Sequence, residues 1–274
     1  MENRGKVSNY GTEIALNYNG GSGALTYHVG GQFSYTINKI KESWEAPHKE
    51  AYSYRQGHPV GQYFGLEAIG FFRDESDIIS SPVQTFSVVR PGDLKYKDQN
   101  NDGIIDVNDE IAIDKQSYPR INYGINTGIN YKGLNLDLFF QGIAHNSVYL
   151  NGYLFQPFIG NNNIFQWAVD GHWTPENHAT ATFPRLTTQS NANNYRSSTF
   201  WVRDASFLRL RNVELGYTLP KGVVKKIGME HLKIFISGTN LVTWDDLAVD
   251  VDPTTLSMGY PLLKSFSAGL NLRF

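Results

Sequence analysis

The sequence predicts an all-β fold, an antiparallel segment of a transmembrane β-barrel carrying long loops, and three observations lead there. Apolar and polar residues alternate with period two along most of the 274 residues. The polar side of that alternation is built from Asn, Gly, Ser, Thr and Gln, where a sheet facing bulk water usually carries Lys, Glu and Arg. The connections between alternating segments are short and long in turn, as in barrels whose two rims differ.

The strands follow in order. Ile14, Leu16 and Tyr18 mark the first. In 25–37 the apolar set Leu25, Tyr27, Val29, Phe33, Tyr35 and Ile37 alternates with Thr26, His28, Gly30, Gln32, Ser34 and Thr36. Ile121, Tyr123, Ile125, Ile129 and Tyr131 repeat the pattern against Asn122, Gly124, Asn126, Gly128 and Asn130. Leu134 to Phe140, Leu208 to Leu219, Leu232 to Ile236 and Phe266 to Phe274 complete seven. In the fifth the apolar phase slips between Leu210 and Val213, which predicts a bulge near Arg211 and Asn212. About 11 residues tilted near 45° cover the apolar band of an outer membrane, and Tyr18, Tyr131 and Tyr217 lie near short turns, as an interfacial aromatic girdle would. Short turns fall at NGGSG (19–23) and Lys132-Gly133, a medium one at PKGVVKKIGME, and long connections over 40–117, 146–198 and 245–260. The strand-like GQYFGLEAIGFF (61–72) is surplus to this count and is assigned to an extracellular elaboration, 40–117. Seven strands leave two unsatisfied edges in lipid, so the chain is expected to be part of a larger barrel.

Composition agrees with long strands and excludes other classes. Aromatics make up 14% and charged residues 18% of the chain, the latter against about 25% on average. A net charge of -2 and the lack of basic runs argue against nucleic acid. With no cysteine there is no disulfide framework. No run of about 18 apolar residues predicts a membrane helix, and MENRGKVSNYGTEI, without an apolar core, is expected not to be a signal peptide. GxSxG, P-loop and dinucleotide motifs are absent, so no enzyme is expected.

One segment carries metal chemistry. In KDQNNDGIIDVND, residues Asp98, Asn100, Asp102, the Ile104 carbonyl, Asp106 and Asp109 fall at positions 1, 3, 5, 7, 9 and 12 of the calcium-loop template, with Gly103 at the sharp turn. Asp109 stands where a bidentate glutamate is usual, and Ile105 offers an apolar anchor. Oxygen donors without nearby Cys or His select Ca2+ over zinc. The flanks LKYK and EIAID alternate like strands, so the loop is not part of an EF-hand; the other reading is an Asx-rich turn without metal. Elsewhere, His172 and His178 in HWTPENHATATFPRL lack a paired carboxylate at zinc spacing. Trp44, Trp167 and Trp173 could stack on sugar rings or pack a long loop. Arg203, Asp204, Arg209, Arg211 and Glu214 read as one lumen-facing structural network.

Taken in order, VGQYFGLEAIGFFRDESDI, GDLKYKDQNNDGIIDVNDE, YPRINYGINTGINYKGLNLDLFFQG, FWVRDASFLRLRNVELGYTLPK, IFISGTNLVTW and YPLLKSFSAGLNLRF resemble the C-terminal part of SusC/RagA-type TonB-linked outer membrane proteins. The resemblance implies seven or eight C-terminal strands of a barrel of about 22, whose N-terminal plug and TonB-interacting segment are not in this sequence. It implies import of glycans or peptides together with a SusD-like surface lipoprotein, contact with the TonB complex through the missing part, and residence in outer-membrane lipid. The chain then resembles a fragment or truncated product that is not transport-competent alone. The terminal Phe274 matches the assembly signal of such barrels. A second reading from the residues stays open: a calcium-stabilised, soluble β-rich surface binding or adhesion module.

Overall fold

The computed structural model describes residues 5–150, 152, 155–158, 164–247, 251–254 and 262–274; part of the last long connection, and the first residues of MENRGKVSNYGTEI, lie outside the described residues. The strands are β1 (Lys6–Ser22), β2 (Leu25–Glu42), β3 (Gln62–Gly65), β4 (Ala68–Phe71), β5 (Val83–Gln84), β6 (Leu94–Tyr96), β7 (Ile104–Ile105), β8 (Ile111–Gln116), β9 (Ile121–Tyr131), β10 (Leu134–Ala144), β11 (Ser147–Tyr149), β12 (Val202–Asp204), β13 (Phe207–Thr218), β14 (His231–Asp245) and β15 (Ser265–Arg273). Three short helices are α1 (Glu75–Ile79), α2 (Gln166–Gly171) and α3 (Lys221–Val224). Two compact units result: one takes in Asn38–Tyr118 and Ser147–Asp204, the other Tyr10–Ile37, Pro119–Asn146 and Ala205–Phe274.

The second unit holds a seven-stranded sheet of order β1-β2-β9-β10-β13-β14-β15, the same seven strands that the alternation predicts. Each resolved pairing is antiparallel. Because side chains alternate faces, register decides what each face carries. Tyr27, Ile129, Leu136, Leu215, Ile236 and Ala268 pair in succession and form one apolar row across six strands. One residue along, His28, Gly128, Asp137, Glu214, Ser237 and Ser267 form the row on the other face. A slip by one residue would exchange the faces, so the sorting is strongly specified.

Local chemistry shapes the sheet. The β9–β10 hairpin turns on Lys132 (φ 49°) and Gly133 (φ 92°), the doubly left-handed pair of a two-residue hairpin whose twist matches its strands. The predicted bulge is present. Arg211 is skipped in both neighbouring registers, between Leu210 and Asn212, and opposite it Asn240 takes φ 54°, a conformation Asn tolerates better than most side chains. On the polar row a Cβ at Gly128 would lie 2.3 Å from Asp137 Oδ1 and from His28 Cε1. The missing side chain lets His28 and Asp137 approach to 3.8 Å.

The apolar face of this sheet is not a dry interior. Ile129, Ile236 and Leu270 are 44%, 57% and 62% exposed, and Leu25, Ile125 and Leu270 share no enclosed core. Apolar surface of that extent gains about 25 cal/mol per Å² when removed from water and is rarely left open to it.

The first unit is built the other way, around a conventional core. Leu66, Leu94, Tyr96 and Ile105 are fully buried and packed by Ala68, Phe71, Phe86 and Phe200. The segment 61–72 forms β3 and β4, which pair with β8 and β6 and lie outside the large sheet. Short strands β5–β7 (parallel) and β11–β12 (antiparallel) complete the unit, and edge-to-face contacts link Trp167 to Phe183, Phe183 to Trp201 and Phe200 to Trp201.

Candidate functional site

The acidic loop joins β6 to β8 and contains β7. Its backbone is held by its own side chains. Asp98 accepts from the N–H of Asn101 at 2.7 Å and of Gly103 at 2.8 Å; Asn100 Oδ1 accepts from Asp102 N at 3.0 Å, and Asp102 Oδ1 from Ile104 N at 3.0 Å. Asp106 accepts from Asn108 N at 2.7 Å, while Asp109 accepts from Gln99 N and Asp106 N, both at 2.8 Å. The Asp109 side chain is thereby a buried carboxylate satisfied by two amides. Gly103 takes φ 82°, the left-handed turn its template position needs. Ile105 is fully buried in the core cluster, and the flanks are strands.

The donors suit calcium in kind and in backbone order. Their side chains are engaged with backbone amides, and among the described residues no three His, Asp or Glu side chains form a metal-holding group. Electrostatics follow from the crowding. The Ile104 N–H above all, with the Asn100 amide and the Lys49 ammonium, holds the Asp102 carboxyl below its ordinary pKa against the opposing effect of desolvation; Lys49 Nζ lies 3.6 Å from it. Burial first, then the negative field of Glu50, Asp109, Asp102 and Asp98, pushes the Tyr52 hydroxyl up to about 12, and that hydroxyl donates to the Asn108 carbonyl at 2.7 Å.

Beside the loop lies a polar network to which the sequence reading assigns no role. Asp93 is fully buried and accepts from Arg90 N at 2.8 Å, from the Asn191 and Asn194 amides at 2.9 Å each and from Arg185 Nη2 at 3.2 Å. Arg185 Nε approaches to 2.8 Å as an ion pair. Gln84 donates to Asn193 Oδ1 at 2.6 Å and accepts from Tyr96 N at 2.7 Å. This network joins segments about a hundred residues apart. Its only trace in the sequence is the Asn-rich NANN at 191–194.

The remaining candidates separate. Trp173 is buried and Trp167 packs on Phe155 and Phe183, so both pack the loops; Trp44 is 75% exposed. His172 and His178 bond to the carbonyls of Val169 and Pro175 through Nδ1. The charge group is not the single network expected. Arg203 lies over Phe200 in the first unit. In the second, Arg209 is buried and bound to Asp252 at 2.6 Å and Thr243 at 2.8 Å, Arg211 bonds to Gln141, and Glu214 pairs with Lys233 at 2.5 Å. The bulge at Arg211 brings Arg209 and Glu214 onto one face, opposite Gln141 and Asp137 of β10, yet each is held by partners of its own. Phe274 is exposed.

No family model matches the chain. A TonB-dependent receptor of Formosa agariphila is 30% identical to it over 237 residues, 80% of this chain and 23% of the relative; a second from the same organism is 25% identical over 303 residues, covering 100% of this chain and 29% of the relative. Its homologues are TonB-dependent receptors. The chain spans less than a third of the length of these receptors. Its fold matches solved structures of the RagAB peptide transporter, with a TM-score of 0.76 at 22% identity over 100% of this chain and 30% of that one. For the RagAB peptide importer in its open-open state the TM-score is 0.73 at 21% identity, over 98% and 29%. The seven-stranded antiparallel sheet matches the β-barrel of these solved structures.

Proposed function

We propose that the chain is part of the wall of a TonB-dependent transporter in the outer membrane. The observation that carries this reading is the pair of rows across the sheet, with leucines, isoleucines and aromatics on one face and Asn, Gly, Ser, His and acidic side chains on the other. Hydrocarbon is the solvent that accepts the first face, and a hydrated lumen the one that accepts the second. Homology to the TonB-dependent receptors supports the assignment. In this reading the whole protein imports glycans or peptides with a SusD-like lipoprotein at its surface and engages the TonB complex through segments outside this sequence. The first unit, including 40–117, faces the cell exterior, and Phe274 takes part in assembly.

The loop from Asp98 to Asp109 is proposed to bind Ca2+, supported by the template spacing and by the left-handed Gly103. Calorimetric titration of calcium into wild type and Asp102→Ala should give different heats; equal heats remove the site. The wall assignment is tested by solubility. The purified chain should need detergent or lipid to stay folded and dispersed, and a folded, monomeric, detergent-free chain would favour the soluble adhesion module.

A further inference from the structure

Against the acidic loop, within the first unit, lies a pocket of about 250 Å³. Its walls carry three groups that can bear positive charge, His48, Lys49 and Arg55, and two apolar side chains, Phe64 and Val107. The carboxylates around it are already engaged. Glu110, which lines it, is held by Arg196 at 2.5 Å. Glu45 accepts from the backbone N–H groups of Arg55 at 2.7 Å and Gln56 at 2.8 Å and from the Ser43 hydroxyl; burial works against these bonds, but together they hold its carboxyl below the ordinary pKa. His48 Nε2 lies 3.6 Å from Glu45, and Lys49 sits between Asp102 at 3.6 Å and Glu50 at 3.9 Å.

Arg55 is different. Its guanidinium lies 5.0 Å from the centre of the Phe64 ring, and among the described residues its side chain makes no hydrogen bond or ion pair with any acid. The ring face gives the guanidinium a cation–π partner at the pocket wall, and its fork of N–H donors is available to a ligand. Such a fork matches the two oxygens of a carboxylate, and the ring and Val107 beneath it suit the stem that carries one. Whole small ligands fill about 300–1,000 Å³, so this space takes one unit of a longer molecule.

We propose that this pocket is a subsite for a carboxylate-bearing unit of an oligomer, its oxygens on Arg55 with Lys49 beside them and its stem on Phe64 and Val107. The carboxylate could belong to a sugar acid or to the end of a peptide, and the probes separate the two. The detergent-solubilised chain is titrated by calorimetry with glucuronate and with N-acetylalanine, each beside its neutral counterpart, glucose and N-acetylalanine amide. At least one acid should bind tenfold or more tighter than its counterpart, about the effect of one charge-assisted hydrogen bond; the acid that does so identifies the source. Arg55→Met should abolish that preference without changing the melting temperature, because the Arg55 backbone N–H still serves Glu45. Lys49→Met, at an exposed position, should weaken it several-fold and provides the reading if Arg55→Met does not fold. Equal binding of acids and neutral counterparts, or an undiminished preference in the variant that folds, overturns the proposal. Because binding is read on the chain itself, the outcome is independent of whether the whole protein is a transporter.

Discussion

Removing the carboxylate of Asp93 should unfold the first unit at markedly lower denaturant. The side chain is fully buried, and Asp93→Ala leaves without an acceptor one backbone N–H, two amide groups at 2.9 Å and the Arg185 guanidinium. Breaking a buried ion pair from one side costs about 3–5 kcal/mol, most of it from stranding the partner charge. The Arg185 side chain retains 21% exposure, so water recovers part of its solvation and the expected loss is near the lower limit, about 3 kcal/mol. Asp93→Asn keeps the shape but turns an amide toward donors, and about 1–3 kcal/mol is expected. A control is Lys97→Ala, which removes an ion pair of 3.0 Å between half-exposed side chains and should cost less than about 1 kcal/mol. Urea unfolding followed by tryptophan fluorescence reads the unit directly, since Trp201 is buried in it and donates through Nε1 to the Asn194 carbonyl at 2.6 Å. A midpoint for Asp93→Ala no lower than that of Lys97→Ala, at unchanged slope, would refute the idea that this network staples the unit.

Other outcomes follow from the same geometry. A Cβ at Gly65 would lie 2.3 Å from the Ser197 carbonyl oxygen, which belongs to backbone and cannot rotate away, so Gly65→Ala should cost about 1–3 kcal/mol in the same assay. Calcium bound in the loop would weaken the negative field on Tyr52, so millimolar calcium should lower the pH at which Tyr52 ionises; alkaline titration of wild type against Tyr52→Phe reads this, and an unchanged curve means no metal enters. Lys95, 2.7 Å away, holds the Asp77 carboxyl below its ordinary range through its hydrogen bond, more than offsetting burial. A depressed carboxylate stabilises the fold at pH values above its unfolded pKa, about 3.9, and that contribution is lost as pH falls through the folded value. Asp77→Asn should therefore lower stability at neutral pH and flatten the acid limb of the stability curve, measured by melting from pH 7 to pH 3.

The sheet was legible because a strand between two solvents writes its environment into every second residue. All seven strands were readable, and so was the bulge at Arg211, since an extra residue shifts the apolar phase. Strand ends were less so: β1 reaches Ser22 and β2 Glu42, past where the alternation of 14–18 and 25–37 lapses, because backbone pairing continues after one face has ceased to be apolar. The turn predicted over NGGSG tightens to Gly23 and Ala24 for the same reason. The first unit was largely illegible. Its strands are two to six residues long, too short for a period, and its stability comes from bonds such as Asp93 to Asn191 and Asn194 that have no local signature. In the acidic loop the spacing showed the backbone path and the Ile105 anchor. It could not show that the carboxylates turn to amides, because each Asx side chain has a local donor competing for it.

Which face of the sheet meets hydrocarbon is the most direct test. The chain has no cysteine, so single cysteines at Ile129 and Asn130 on β9, and at Ile236 and Ser237 on β14, can each carry a nitroxide in lipid vesicles. Paramagnetic relaxation by oxygen, which concentrates in the bilayer, should exceed that by a water-soluble nickel complex at Ile129 and Ile236 and fall below it at Asn130 and Ser237. The same ratio at neighbouring positions, or the reverse order, would contradict a wall with lipid on one side and water on the other.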